Sequence, residues 1–122
     1  MIKVNEVAFS CYAVTDMARA RAFYEGVLQL KPSTIHDSEN GKFVEYELGP
    51  HTLAIGSAPG WTPNSDGCSV ALEVEDFDAA IAELKKQNVV FRMGPLDAPH
   101  CRMAMIFDPD RNSICIHKRN AA

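Results

Sequence analysis

Apolar residues along this chain follow two rhythms, one of period two and one of helical period, and the pair of rhythms occurs twice. Glu6 to Val14 (EVAFSCYAV) is apolar on both faces and rich in β-branched and aromatic residues, which predicts a buried strand. Thr15 or Asp16 then caps a helix whose Ala18, Ala20, Ala22, Phe23, Val27 and Leu28 recur at helical spacing. Leu30-Lys31-Pro32 ends it, because proline disfavours helical backbone at the residue before it. Three strands follow at Thr34–Asp37, Lys42–Leu48 and Thr52–Ser57, separated by turns at Ser38–Gly41 and Gly49-Pro50.

Ala58 to Gly67 (APGWTPNSDG) has no apolar period and reads as an internal linker carrying the single tryptophan, Trp61. The pattern then returns. Cys68–Val74 is a strand, and Asp76 caps a helix with Phe77, Ala80, Ile81 and Leu84 on its apolar face. Val89–Met93 is a strand stopped by Gly94-Pro95, and Leu96–Cys101 is loop. Arg102–Phe107 and Ser113–His117 form a hairpin around Asp108-Pro109-Asp110-Arg111-Asn112, whose proline and side-chain acceptors suit a tight bend. The capping aspartates, Asp16 and Asp76, lie sixty residues apart, and the same offset sets Val14 on Val74, Phe9 on Ser69, Cys11 on Ala71 and Ala20 on Ala80. Later in each copy Gly49-Pro50 matches Asp108-Pro109, two extra turn residues follow, and Ala54 lies on Cys115. The fold class is therefore α+β: two tandem βαβββ modules, too small to bury much core singly, forming one domain over residues 1–122. Module one covers about 1–57, the linker 58–67 and module two about 68–119.

Composition narrows the function classes. Of 122 residues, 47% are hydrophobic and 23% charged, ordinary for a globular protein. The net charge of −4, with no Lys/Arg block, argues against a nucleic-acid partner. No apolar run approaches a membrane span, and Met1–Glu6 has no signal-peptide character, so a cytoplasmic protein with no membrane partner is expected. The four cysteines have no CxxC spacing and read as reduced thiols.

Val14-Thr15-Asp16-Met17 with Arg19-Ala20 and Phe23-Tyr24, then Val74-Glu75-Asp76-Phe77, Ala79-Ala80 and the Asp108–Asn112 turn, resemble the vicinal oxygen chelate superfamily over essentially the whole chain. That superfamily includes glyoxalase I, extradiol dioxygenases, and fosfomycin- and bleomycin-resistance proteins. The resemblance implies that the modules cup a curved mixed sheet with helices outside, that the cleft lies between modules, and that the chain forms a homodimer. In this sequence Arg111 takes the turn position usually held by glycine, which at positive φ costs about 1 kcal/mol.

The resemblance also implies where metal ligands would stand: seven residues before each capping aspartate, and in the last strand of each module. Those positions hold Phe9, Ala54, Ser69 and Cys115, and a one-residue slip brings only Ile55. Two of the four cannot ligate any ion, so no metal and no cofactor are expected. A rescued zinc site from Cys11, Cys115 and His117 stays open beside the plainer reading of two buried thiols and a histidine. Glu73 shares a face with Ser69 and Ala71 and is either a cavity base or a solvated strand-end charge. His36 and His51 read as solvated, and Cys101, between His100 and Arg102, is either a reactive thiol or an incidental loop residue. Tyr46 either lines a pocket or packs on the helix. The expected function is metal-free binding of a small, partly aromatic molecule in a cleft lined by Phe9, Cys11, Ala54, Ser69, Glu73 and Cys115, with Trp61 as lid. An atypical lyase, isomerase or dioxygenase of the same superfamily is the alternative, and a non-binding interaction module is a third reading.

Overall fold

Asp16 and Asp76 do the same work sixty residues apart. Each sits in extended backbone, and its carboxylate accepts the amide three residues on, from Arg19 (3.0 Å) and from Ala79 (3.0 Å). Of the two predicted caps for the first helix, Asp16 is the one used. Around these caps a computed structural model describes residue 3 and residues 5–120. Met1, Ile2 and Val4 of the N-terminal stretch considered above lie outside the described residues, as do Ala121 and Ala122.

The chain divides into a unit ending at Thr62 and a unit beginning at Pro63. In the first, β1 (Ser10–Ala13) is followed by α1 (Met17–Arg21), which widens without a break into a π-helical turn over Ala22–Val27. Three strands complete it: β2 (Pro32–Ser38), β3 (Gly41–Leu48) and β4 (His51–Ser57), in sheet order β1-β4-β3-β2. The second unit repeats this plan. It has β5 (Val70–Glu73), α2 (Phe77–Lys86), β6 (Phe91–Asp97), β7 (Cys101–Phe107) and β8 (Ser113–Arg119), in order β5-β8-β7-β6. The first strand of each sheet runs parallel to the last, and the other pairings are antiparallel. This is the α+β tandem βαβββ architecture that the repeat predicts.

The registers agree between the units. Cys11 lies opposite Ala54 in one, and Ala71 lies opposite Cys115 in the other. Period-two alternation then sorts each sheet into a helix-covered face and an open face. On the helix side of unit one, Tyr12, Val14, Val44, Tyr46 and Ile55 are buried with Tyr24 and Ala20. Tyr46, given two readings from sequence, packs here: its ring stacks on Tyr24 at 6.2 Å between centroids. Its hydroxyl donates to Glu25 Oε2 (2.9 Å), and Arg21 grips the same carboxylate at 2.6 and 3.1 Å. In unit two, Phe77, Ile81 and Leu84 of α2 are buried, as are Ala104, Ile106, Ile114 and Ile116 of the sheet. Arg102 lies over Phe77 and bridges Asp78 and Asp97.

Three expectations need correction. The first strand pairs with β4 over Ser10–Ala13 only, and Val14 adds one amide bond to the Gly56 carbonyl (2.9 Å). Gly94-Pro95 does not end its strand. β6 continues to Asp97 through two register shifts, with a cis Gly94–Pro95 bond and Gly94 at φ +81°. Only glycine fits there: a Cβ would come within 3.0 Å of the Met103 carbonyl. Cys101, assigned from sequence to a loop, begins β7. Among the described residues, no helix is long and apolar enough to cross a membrane.

The Asp108–Asn112 turn closes the last hairpin from inside. Buried Asp108 accepts the amides of Asp110 (2.9 Å) and Asn112 (2.8 Å) on Oδ1, and the Asn112 side-chain amide (2.8 Å) on Oδ2. Arg111 adopts φ +65°, as its place in the turn requires. Its guanidinium lies 4.3 Å above the Phe107 ring, a contact of about 0.5–1 kcal/mol that offsets the backbone strain.

The Glu25 network has a defined pH signature. The Arg21 hydrogen bond holds the Glu25 carboxyl below its usual value of 4.5, with help from Tyr46 and against a smaller desolvation cost. A carboxylate so depressed contributes its stability above the unfolded pKa and loses it as pH falls through the folded one. Arg21 and Glu25 side chains are 34% and 25% exposed, so solvent screening limits the pair to about 1 kcal/mol. We expect Glu25→Gln to lower unfolding free energy by that amount at pH 7, and the two proteins to converge as acidification passes through the depressed folded pKa of Glu25. Urea titrations at several pH values check it, and a deficit that persists unchanged in acid would contradict the assignment.

Candidate functional site

The open face of unit one carries Phe9 and Cys11 from the first strand region, Phe43, Glu45 and Glu47 from β3, and Thr52, Ala54 and Gly56 from β4. Its centre is bare backbone. Gly56 lies opposite Phe43, and a Cβ there would stand 2.6 Å from Trp61 Cζ3 and 3.2 Å from Phe43 Cδ1. The indole therefore sits directly on the strand at Gly56, against Phe43. Phe9 meets Phe43 edge-on, with centroids 5.5 Å apart. Phe9 and Trp61 remain 46% and 49% exposed, so two large aromatic side chains of this cluster present surface to solvent.

Trp61 is placed by its own linker. Its amide donates to the Ala58 carbonyl (3.1 Å), closing a turn straight after β4. Within unit two, the far end of the linker is fastened to the Asp108–Asn112 hairpin. Asn112 Oδ1 accepts the Asn64 amide (3.2 Å), and the Ser65 carbonyl accepts from Ser113 Oγ (2.8 Å) and Arg92 Nη1 (2.5 Å). Arg92 also pairs with Asp66 (2.9 Å). A stretch without apolar period is thus ordered at both ends by polar contacts.

The expected cleft residues fall into the two units as follows. Phe9, Cys11, Ala54 and Trp61 belong to the first, and Ser69, Glu73 and Cys115 to the second. Ala54 is fully buried beneath the open face, between Cys11 and Glu45 on the neighbouring strands. Cys11 is exposed as a residue, yet burial around its Sγ pushes the thiol up to about 11. Ser69 is exposed just before β5. Cys115 is 7% exposed, and burial, with the nearby Cys101 thiol adding to it, pushes its pKa up as well. Both thiols are protonated and poorly nucleophilic at neutral pH.

Glu73 has a partner that sequence reasoning missed. It lies opposite His117, and its Oε1 meets His117 Nδ1 at 2.6 Å while Oε2 accepts the Arg119 amide at 2.8 Å. These bonds, the backbone one first, hold the Glu73 carboxyl below its usual range. The parallel β5–β8 register makes this pair inevitable once the repeat is aligned. Arg102, the neighbour of Cys101, pairs with Asp78 (3.1 Å) and Asp97 (2.9 Å). Unit one also holds a polar depression of about 470 Å³ at the start of α1, lined by Asp16, Ser38, Asn40, Lys42 and Ser57. It lies apart from the aromatic cluster, and the Asp16 carboxylate is spent on the helix cap.

A family model for the Glyoxalase/Bleomycin resistance protein/Dioxygenase superfamily matches residues 3–116. The chain belongs to that superfamily. Curated proteins offer no match. Among solved structures, the chain is similar to TnmS3, an antibiotic binding protein from Streptomyces sp. CB03234, at 22% identity and TM-score 0.82, covering 98% of this chain and 100% of that one. It is also similar to the trypanothione-dependent glyoxalase I of Leishmania major (21%, TM-score 0.77, covering 94% and 87%). A third likeness is to the fosfomycin resistance protein FosX of Listeria monocytogenes (13%, TM-score 0.79, covering 97% and 96%). At these identities the likenesses show the fold.

Glyoxalases and dioxygenases of this superfamily imply a divalent metal, and the donor chemistry here does not fit one. The positions that would supply ligands present a phenyl ring, a methyl group, a hydroxyl and a buried, protonated thiol. Among the described residues, no three His, Cys, Asp or Glu side chains group as a metal ion would need.

Trp61 is the single tryptophan, so its emission reports this site alone. Gly56→Ala puts a methyl group where the indole lies, and we expect a red-shifted emission, stronger acrylamide quenching and a stability loss of about 1–3 kcal/mol. An unchanged spectrum would show that Trp61 does not rest on Gly56.

Proposed function

We propose that this protein binds a small, partly aromatic organic molecule, without a divalent metal, on the open aromatic face built by Phe9, Phe43 and Trp61. The observation that carries the reading is the seating of Trp61 on Gly56 beside Phe43, with Phe9 edge-on to the same ring. Such a surface is rigid below and exposed above, and it gives stacking area at little entropic cost. Superfamily membership and the fold likeness to an antibiotic binding protein agree with it. Glu45 and Glu47 share the face. Glu47 accepts from Thr52 and Ser33, which leaves Glu45 to favour a ligand carrying a positive or hydrogen-bond-donating group. The reading includes a homodimer, which light scattering on the eluting protein tests directly.

The alternative, an enzyme of the superfamily with an atypical centre, draws on one observation: the Glu73–His117 carboxylate–imidazole pair, an arrangement able to hold a base in one tautomer. Turnover of methylglyoxal–glutathione hemithioacetal or of catechols, abolished by a chelator, would favour it over the binding reading.

A thermal-shift screen of aromatic antibiotics and other polycyclic compounds tests the first reading. We expect at least one class to raise Tm, and Trp61→Ala to weaken its binding about tenfold, equivalent to about 1.4 kcal/mol, while the fold is kept. No stabilisation across the whole panel would count against ligand binding.

A further inference from the structure

The open face of unit two is rich in sulfur. Alternation along β7 puts Met103 and Met105 on it, and alternation along β8 puts Cys115 and His117 there. Met103 is directly opposite His117, and Met105 directly opposite Cys115, on adjacent rungs of one antiparallel ladder. We propose that this face binds one soft monovalent cation of the Cu(I)/Ag(I) class through His117 Nε2, Cys115 Sγ and the thioethers of Met103 and Met105.

Ladder geometry brings the four donors within reach of a common centre. Opposed Cβ atoms stand about 5 Å apart and diagonal ones about 7 Å, and methionine's three rotatable bonds let its sulfur close the remainder. His117 is already prepared as a ligand. Glu73 Oε1 lies 2.6 Å from His117 Nδ1, which makes Nε2 the ring nitrogen that would meet an ion. The Arg119 amide pins the other carboxylate oxygen, which completes the outer-sphere support that metal-binding histidines commonly have. Binding replaces the Cys115 thiol proton, which leaves to solvent, by the cation.

The donor set selects the ion. The proposed set has one thiol, one imidazole and two thioethers, with Cys101 two residues before Met103 on the same face of β7, and among the described residues no three His, Cys, Asp or Glu side chains group as a borderline divalent ion would need. Thioether and thiolate sulfur favour Cu(I). All four donors belong to unit two, and their use does not depend on the ligand-binding reading.

The test uses the full chain with C11S, C68S and C101S, leaving Cys115 as its one thiol. Cu(I) is titrated anaerobically against a chromophoric Cu(I) chelator. We expect one Cu(I) per chain, affinity lowered tenfold or more by M103L or M105L and by H117N, and no competition by Zn(II). Met→Leu nearly conserves volume, so folding is retained and is checked by circular dichroism. In the wild-type chain, Ag(I) should shift the ε-methyl NMR signals of Met103 and Met105 and leave buried Met17 unmoved. Cu(I) affinity unchanged by M103L, M105L and H117N, or Zn(II) binding of equal strength, would overturn the proposal.

Discussion

The carboxylate of Asp108 is the constraint on which much of unit two depends. Removed from water, it takes three hydrogen bonds from the turn it closes, and loss of such a buried acceptor leaves the donors unpaired at about 1–3 kcal/mol each. The turn sets the β7–β8 register, and that register puts Met103 against His117 and Met105 against Cys115. Through Asn112 and Ser113 it also receives the end of the linker. A motif that reads locally as a tight bend thereby orders a strand face and a connecting segment together.

Unit one depends on an absence of side chain. Gly56 is a strand residue whose missing Cβ admits an indole. The two units share topology and register, yet their open faces differ in chemistry. One is aromatic with carboxylates beside it, and the other is thioether, thiol and imidazole. The repeat preserves the scaffold while the side chains facing away from the helices diverge, and for this reason membership of the superfamily does not by itself decide a reaction.

Much of the fold was legible because its signals are local and doubled. Each capping aspartate precedes an apolar helical stripe, and each closing turn precedes a β-branched strand, so aligning the copies placed Cys115 against Ala54 before any coordinates. The Arg111 strain was legible for the same reason. The π-helical widening at Ala22–Val27 was not, since periods of 3.6 and slightly more differ little over six residues and the ring stack of Tyr24 on Tyr46 acts across long range. Gly94-Pro95 read as a stop because punctuation residues at a bulge resemble punctuation at a turn. Trp61 read as a lid, but its seat required knowing that Gly56 faces Phe43. A glycine inside TLAIGS was the available signal of close approach. The Glu73–His117 pair follows from the parallel pairing of the first and last strands of the second copy, which sets Glu73 opposite His117.

The proposed ligand seat is the exposed aromatic face of unit one. An NMR titration with a planar aromatic compound that stabilises the protein tests it most directly. A ligand seated there gives nuclear Overhauser contacts from the bound rings to the Trp61 indole and to Phe9 and Phe43, with the Trp61 Nε1–H signal moving in step with saturation. A saturated complex whose contacts lie only on the helix-covered side, or in the polar depression beside Asp16, would contradict it.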